Sequence, residues 1–394
     1  MSYLDTLLQG VEVEWKTLGE VCILSRGRVM SKEYLAENAG EYPVYSSQTA
    51  ENGEIGKITT FDYDGEFITW TTDGANAGTV FHRIGKFSIT NVCGLIRTRD
   101  KNELSYRFLF YWLSIEAKKF VYSGMGNPKL MSNQITKIPI PIPPLSVQKE
   151  IVRILDKFTE LTAELTAELT AELTARKKQY NYYREQLLSF EDGEVEWKTL
   201  GDKDFFEVSS GGTPLTTNKE YWERGNIPWL KSESCNNESV YSANNFITEL
   251  GLKKSSARLL NKDTTLIALV GATIFKTAYL EFQSSTNQNI ASIKSLKPSI
   301  INDKYIFYYL TNLYEFLKSE MRNYGMLNLT TLRTFKIPVP PIEEQARIVS
   351  ILDKFDTLTT SISEGLPKEI ELRKKQYEYY RDMLLTFPKE NTEI

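Results

Sequence analysis

Self-similarity constrains this chain more than any other feature. The segment VEWKTLGE, Val13 to Glu20, returns as VEWKTLGD, Val195 to Asp202. KIPIPIPP and the following QKEIVRILDKF, ending at Phe158, return as KIPVPP and QARIVSILDKF, ending at Phe355. RKKQYNYYREQLLSF, from Arg176 to Phe190, returns as RKKQYEYYRDMLLTF, from Arg373 to Phe387. Repetition in a fixed order signals a duplicated structural unit. The last two pairs share an offset of 197 residues, so the two helical arms match in length. Val13 and Val195 are only 182 apart, so the segments enclosed by the borders differ in length as well as sequence. DTLLQGVEVEWK at the start also resembles EQLLSFEDGEVEWK after the first arm. That circular pattern predicts two modules related by an approximate two-fold axis, with the N-terminus near the end of the second arm.

At 394 residues, and with roughly 150 residues per domain as a prior, two domains plus helical connectors fit the length. Hydrophobic residues at 41% and charged residues at 25% are ordinary for a globular chain and argue against disorder. A net charge of -4 excludes a globally basic nucleic-acid coat but allows a local basic patch. MSYLDTLLQGVEVEWK lacks a basic flank before an apolar run, and no stretch approaches the ~18 apolar residues of a membrane span, so a cytoplasmic location is expected. Cys22, Cys93 and Cys235 form no CxxC pair and read as buried small hydrophobes.

Each arm opens after a proline-rich strand exit, Pro139 to Pro144 or Pro338 to Pro341, where missing N–H donors end the preceding sheet. A helical pattern then begins at Ser146 or Glu343. In the first arm Val147, Ile151, Ile154, Leu155, Phe158 and Leu161 recur at three- and four-residue intervals, and no glycine or proline interrupts them before Phe190. Within it lies a TAEL array, Leu161 to Arg176, whose Leu161, Leu165, Leu169 and Leu173 form a drifting stripe. Each four-residue unit adds about 6 Å of helix. In the second arm Leu358, Ile362 and Leu366 stand opposite, but Gly365 and Pro367 predict a break, with Pro367 in the first turn of a restarted helix. Antiparallel arms would bury their stripes as a coiled coil and act as a spacer. The RKKQYxYYR ends allow three readings: phosphate contact by Arg176, Lys177 and Lys178, docking through Tyr180, Tyr183, Tyr377 and Tyr380, or tyrosines packing between the arms. The expected class is α+β: mixed domains at 1–145 and 191–342, and helical arms at 146–190 and 343–394.

Together the VEWKTLG borders, IPxPP exits, QxxIVxILDKF starts, RKKQYxYYR ends and TAEL array resemble the specificity subunit of a type I restriction-modification enzyme, particularly its TAEL-repeat subfamily. The resemblance covers essentially the whole chain. It implies that each variable domain is a target recognition domain reading one half of a split double-stranded DNA sequence, while the arms set the gap. It also implies two methyltransferase subunits that use S-adenosylmethionine and two restriction subunits that use ATP and magnesium, with no cofactor or catalytic residue in this chain. In keeping with that, the sequence has no G-x-x-x-x-G-K-[ST] loop, no asparagine-proline-proline-aromatic signature, and one histidine, His82, read as structural.

Base readout needs paired donors and acceptors, mainly Arg or Lys to guanine and Asn or Gln to adenine, on exposed loops. In the first domain the candidates are Arg26, Arg28, Gln48, Lys57, Thr72, Asn76, Asn127 and Lys129. In the second they are Thr213, Lys231, Ser232, Lys276, Asn287 and Gln288. The same glycine, asparagine and serine clusters also serve as plain turn chemistry. The aromatic tracts YRFLFYWL and YIFYYLTNL read as buried core helices rather than base-stacking platforms. Two other functions stay open: a coiled-coil scaffold without a DNA role, suggested by the TAEL array alone, and a metal-dependent nuclease, suggested by Glu14 with Lys16 and Glu196 with Lys198.

Overall fold

The computed structural model describes residues 3–124, 126–191, 193–320, 325–360 and 365–388. In chain order the elements begin with α1 (Tyr3–Leu8), β1 (Glu14–Thr17), α2 (Leu18–Val21), β2 (Cys22–Arg26), α3 (Lys32–Glu37), β3 (Ala39–Tyr45), β4 (Glu54–Ile58), β5 (Tyr63–Thr71), β6 (Val80–Ile89), β7 (Cys93–Thr98), α4 (Tyr106–Glu116), α5 (Ser132–Ile135), β8 (Pro139–Ile142) and α6 (Leu145–Leu187). They continue with β9 (Glu196–Thr199), β10 (Phe206–Ser210), β11 (Ile227–Leu230), β12 (Glu238–Val240), β13 (Asn245–Ile247), α7 (Glu249–Lys253), β14 (Thr265–Ala268), β15 (Thr277–Leu280), β16 (Ser285–Thr286), β17 (Ile290–Ser295), α8 (Asp303–Asn312), α9 (Tyr314–Glu320), α10 (Leu329–Arg333), β18 (Lys336–Val339), α11 (Ile342–Thr360) and α12 (Leu366–Leu384). Contacts divide the chain into two compact units, Met1–Ala167 with Leu372–Ile394, and Glu168–Glu371.

In the first unit the border motif β1 pairs antiparallel with the proline-rich β8, from Glu14 opposite Ile142 to Thr17 opposite Pro139. Prolines without N–H donors keep this pair a two-stranded ribbon. The larger sheet has the order β2-β7-β5-β6-β3-β4. Its apolar face packs on α4, the YRFLFYWL tract, where Tyr106, Phe108, Leu109, Trp112 and Leu113 are buried and Ser105 caps the Phe108 amide. The same core takes in Ile151 and Leu155 of α6, Leu4 and Leu8 of α1, and Leu384, Leu385 and Phe387 from the end of the second arm. Trp15 Nε1 donates to the Pro388 carbonyl at 3.1 Å, so the start of the chain and the end of that arm meet as the circular pattern predicted.

The second unit repeats this plan. β9 pairs with β18, from Glu196 opposite Val339 to Thr199 opposite Lys336. Its sheets have the orders β10-β17-β14-β15-β12 and β13-β11-β16. Trp70 pairs with Val80 and Thr71 with Cys93 in the first unit, and 197 positions later Ile267 pairs with Thr277 and Ala268 with Ile290. The parallel pairing of Val44 with Ser88 recurs as Trp229 with Ser285. Unlike sequences thus build the same core of strand pairings twice, although the counterpart of β6 is split into β15 and β16 and the second unit's strands form two sheets. The extra length is concentrated in one place: Val44 precedes Ile68 by 24 positions, whereas their counterparts Trp229 and Thr265 are 36 apart. That twelve-residue extension contributes β12 and α7.

Each arm is fastened to its domain by one buried glutamine. Gln148 Nε2 donates to the carbonyls of Glu103 (2.7 Å) and Pro143 (2.9 Å), and its Oε1 accepts from the Ser105 amide at 3.0 Å. Gln345 repeats this with Ile300 (2.8 Å), Pro340 (2.7 Å) and Asn302 (2.9 Å). Tyr111 donates to Asp156 at 2.6 Å beside Arg107, and Tyr308 to Asp353 at 2.5 Å beside Lys304. Burial, and then the hydrogen bond to Asp353, hold the Tyr308 hydroxyl well above its ordinary range.

The first arm is the 43-residue helix α6, unbroken as its sequence predicted. In the second arm α11 is described as far as Thr360 and α12 starts at Leu366, with Pro367 in its first turn and the Gly365 carbonyl accepting from Lys368 at 3.0 Å. Ile362, expected on the apolar stripe, lies outside the described residues.

Candidate nucleic-acid interface

In the first unit the loops leaving β2, β3 and β5 gather at one end of the six-stranded sheet. Gly27 makes this possible, because a Cβ there would lie 1.9 Å from the Ile89 carbonyl oxygen. Arg28 can therefore bridge to Thr90. Arg26 is half-buried, donating to the Asn91 carbonyl at 3.3 Å with its guanidinium 5.7 Å from the Trp70 ring centre, and burial lowers its pKa. Arg28 is exposed and donates to Asp62 and to the Tyr34 hydroxyl, both at 3.1 Å. Gln48 Nε2 is held by the Glu54 carbonyl, and Asn76 Nδ2 by the Thr49 hydroxyl at 3.1 Å.

Two backbone bonds, Gly74 amide to Pro128 carbonyl at 3.0 Å and Leu130 amide to Thr72 carbonyl at 2.8 Å, join the TTDGANAG turn to the loop bearing exposed Asn127 and Lys129. The structure thus brings Arg26, Arg28, Gln48, Asn76, Asn127 and Lys129 together. Thr72 lies beneath them, buried, with its hydroxyl donating to the Val92 carbonyl at 2.7 Å. Lys57 sits exposed on edge strand β4, opposite Pro43 and further from this end.

The second unit builds the equivalent edge. A Cβ on Gly211 would lie 2.2 Å from the Thr286 carbonyl oxygen, matching the crossing at Gly27. Thr213 donates to Gln288 Oε1 at 2.5 Å, and the Gly212 amide to the Thr286 carbonyl at 2.9 Å. Exposed Lys231 follows β11, the Ser232 carbonyl accepts from the Thr273 hydroxyl at 2.8 Å, and the Lys276 amide donates to the Thr273 carbonyl at 2.9 Å. Thr213, Lys231, Ser232, Lys276 and Gln288 therefore cluster. Asn287 is buried below, its amide donating to the Leu230 carbonyl just as the Thr90 amide donates to that of Tyr45, both at 2.9 Å.

The turn glycines Gly74 (φ 91°) and Gly78 (φ 82°) have Gly271 (φ 82°) and Phe275 (φ 68°) as counterparts. A bulky left-handed residue such as Phe275 is uncommon and marks a turn held by its surroundings. Sequence reasoning passed over the counterpart of Lys129, exposed Met326, which bridges Val270 as Lys129 bridges Asp73. The constant offset of 197 would have found it.

On the arms, Tyr183 stacks on Phe355 with ring centres 5.7 Å apart, and its equivalent Tyr380 meets Phe158 at 5.6 Å. Tyr180 also lies against Phe355, at 6.1 Å, and burial pushes its hydroxyl up to about 12. Tyr377 shares a 3.1 Å hydrogen bond with Thr159. The more exposed tyrosines of these arm ends are their neighbours, Tyr182 at 59% and Tyr379 at 62%. Along the TAEL stripe Leu161 is exposed, Leu165 and Leu173 half-buried and Leu169 buried. The Glu-x-Lys pairs lie in the border strands, where Lys16 is ion-paired with Glu14 and Glu103, and Lys198 with Glu196. His82 pairs with Glu66 at 2.8 Å across β5 and β6.

A family model for the type I restriction modification DNA specificity domain matches residues 10–175 and again 194–372. The type I restriction enzyme EcoR124I/EcoR124II specificity subunit of Escherichia coli is 39% identical over 417 residues, spanning 100% of this chain and 98% of that protein. A putative type I specificity subunit of Mycoplasma pneumoniae is 33% identical over 378 residues, spanning 95% and 98%. In fold, the chain is similar to one solved in work on complex assembly and conformational transition of the type I R-M system, with a TM-score of 0.69 at 16% identity over 95% of this chain and 98% of that one.

Proposed function

The chain belongs to the family of type I restriction-modification DNA specificity subunits, and from that premise we propose that it reads a bipartite, asymmetric DNA target and directs methyltransferase and restriction subunits to it. It supplies the address and not the chemistry. On this reading two methyltransferase and two restriction subunits assemble with it, and S-adenosylmethionine, ATP and magnesium belong to them. Its place of action is the cytoplasm; among the described residues no helix is long and apolar enough to cross a membrane.

One observation carries the proposal: the same sheet edge occurs twice with the same crossing glycine and different side chains, Arg26 in one unit where Ser210 stands in the other. Such an edge keeps its backbone geometry while its hydrogen-bonding groups vary, as readers of two unlike half-sites require. Arg26, Arg28, Gln48, Asn76, Asn127 and Lys129 are assigned to one half-site, and Thr213, Lys231, Ser232, Lys276 and Gln288 to the other. The arms set the distance between half-sites, and their tyrosine-bearing ends dock the methyltransferase subunits. No observation favours a DNA-free scaffold or a nuclease. Replacing residues 21–136 with the corresponding domain of a relative should change one half of the methylated sequence and leave the other; an unchanged target would overturn the proposal.

A further inference from the structure

The twelve-residue extension of the second unit carries a feature that the first unit lacks. Between Lys253 and Lys262 the chain reads KKSSARLLNK, with four cations and no acid. Between β3 and β5 the first unit holds Lys57 with Glu51, Glu54 and Asp62, whereas between β11 and β14 the second holds Lys231, Lys253, Lys254, Arg258 and Lys262 with Glu233, Glu238, Glu249 and Asp263, and only the second gathers its cations into one run. Lys253, Lys254 and Arg258 are exposed, and none makes an ion pair among the described residues. These three exposed cations fall within six positions and have no acid partner among the described residues to displace, so they are available to an external anion.

The run is held where such an anion would matter. Ala257 is buried against Trp229 and Ile247, with Leu252 packed beside them. A Cβ on Gly212 would lie 2.2 Å from Ser256 Oγ and 2.5 Å from the Ala257 amide nitrogen, so the absence of a side chain there lets the run press directly on the loop that carries Thr213 and Gln288. The Thr248 hydroxyl fixes the preceding helix by accepting from the Gly251 amide at 3.0 Å and donating to the Glu220 carbonyl at 2.8 Å. Three free cations and the exposed Ser256 hydroxyl thus flank the candidate reading loops on a rigid support.

We infer that Lys253, Lys254 and Arg258 grip the DNA phosphate backbone beside the second half-site, a contact with no counterpart in the first unit. The inference rests on the DNA-recognition reading above. Phosphate contacts position a reader without specifying bases, so their loss weakens binding and flattens its salt dependence while leaving the target unchanged.

The test uses the subunit in complex with its methyltransferase subunits, the triple variant Lys253→Gln, Lys254→Gln, Arg258→Gln, and a fluorescein-labelled mixed-sequence duplex at several KCl concentrations. With about 0.9 of a salt-slope unit per phosphate, the triple variant should lower the slope of log affinity against log salt by about two to three. Equivalently, the affinity lost between 50 and 200 mM salt should shrink by roughly 40-fold. Sequencing of methylated DNA should show both half-sites retained. An unaltered slope with normal wild-type binding would overturn the phosphate grip alone. Loss of the second half-site would overturn it in favour of base reading or a structural role. A wild-type complex that binds the duplex no better than the methyltransferase alone would instead overturn the DNA-recognition reading.

Discussion

At the scale of single residues, the chemistry of a side chain was legible before its exposure was. Thr72 and Asn287 have the right groups for reading bases, yet both lie buried below the exposed loops, where backbone bonds join them to Leu130 and Leu230. The buried glutamines show the converse. The repeated QxxIVxILDKF motif marks Gln148 and Gln345 as a pair but not as buried, yet each satisfies three backbone groups from inside the core. Gln148→Leu should cost about 1–3 kcal/mol, since it strands a buried amide and two carbonyls. Urea unfolding would measure this, and an unchanged midpoint would refute it. The cysteines follow the sequence expectation of burial. Burial pushes each thiol up to about 12, so at pH 8 only a minute fraction is thiolate. Ellman's reagent should find no reactive thiol in the folded chain at pH 8 and three in denaturant; rapid labelling of the native protein would contradict the buried assignment.

At the scale of elements, the arms were the most legible part, because helical periodicity is short-range and Gly365 and Pro367 interrupt it visibly. Deleting one TAEL unit from α6 removes about 6 Å of helix, against about 3.4 Å per base pair. The half-site gap should shorten by about one or two base pairs, read by mapping methylated adenines, and a fixed gap would end the ruler idea. The strands were less legible. A half-buried strand needs only alternation, which unlike sequences supply equally well, so the shared topology of the two domains was hidden behind their divergent residues. Glycines where another strand crosses are the firmest local trace. Gly27→Ala should displace the Ile89 carbonyl, because a 1.9 Å approach is impossible for a Cβ. The expected result is lost order in the loops around Arg28, seen as faster amide exchange at Asn91, whose amide donates to the Arg28 carbonyl at 3.0 Å. Unchanged exchange would show that the crossing tolerates a side chain.

At the scale of the molecule, each unit's core is completed by the end of the arm that belongs to the other repeat. The first unit buries Leu384, Leu385 and Phe387, and the second buries Leu188, with Leu187 and Phe190 packed beside it. Phe387 meets Phe108 and Trp112 edge-on, with ring centres 5.9 and 6.0 Å apart. Phe387→Ala should therefore destabilise the first unit by about 3–5 kcal/mol. Hydrogen exchange should show α4 losing protection, although Phe387 lies more than 270 positions along the chain from it. Retained protection in α4 would mean that the arm end adds nothing to that core.

The sequence alone determined the duplication, the helical arms with their break, and membership of the specificity-subunit family, since repeated motifs and helical periods are written in neighbouring residues. Which polar residues share an edge was decided only by the tertiary structure. That outcome depends on strand register and on the close crossings at Gly27 and Gly211, which join positions more than 60 residues apart. The same holds for the basic run of the second unit. Its charges stand in the sequence, but its place beside Thr213 and Gln288 exists because Gly212 has no side chain to keep Ser256 away.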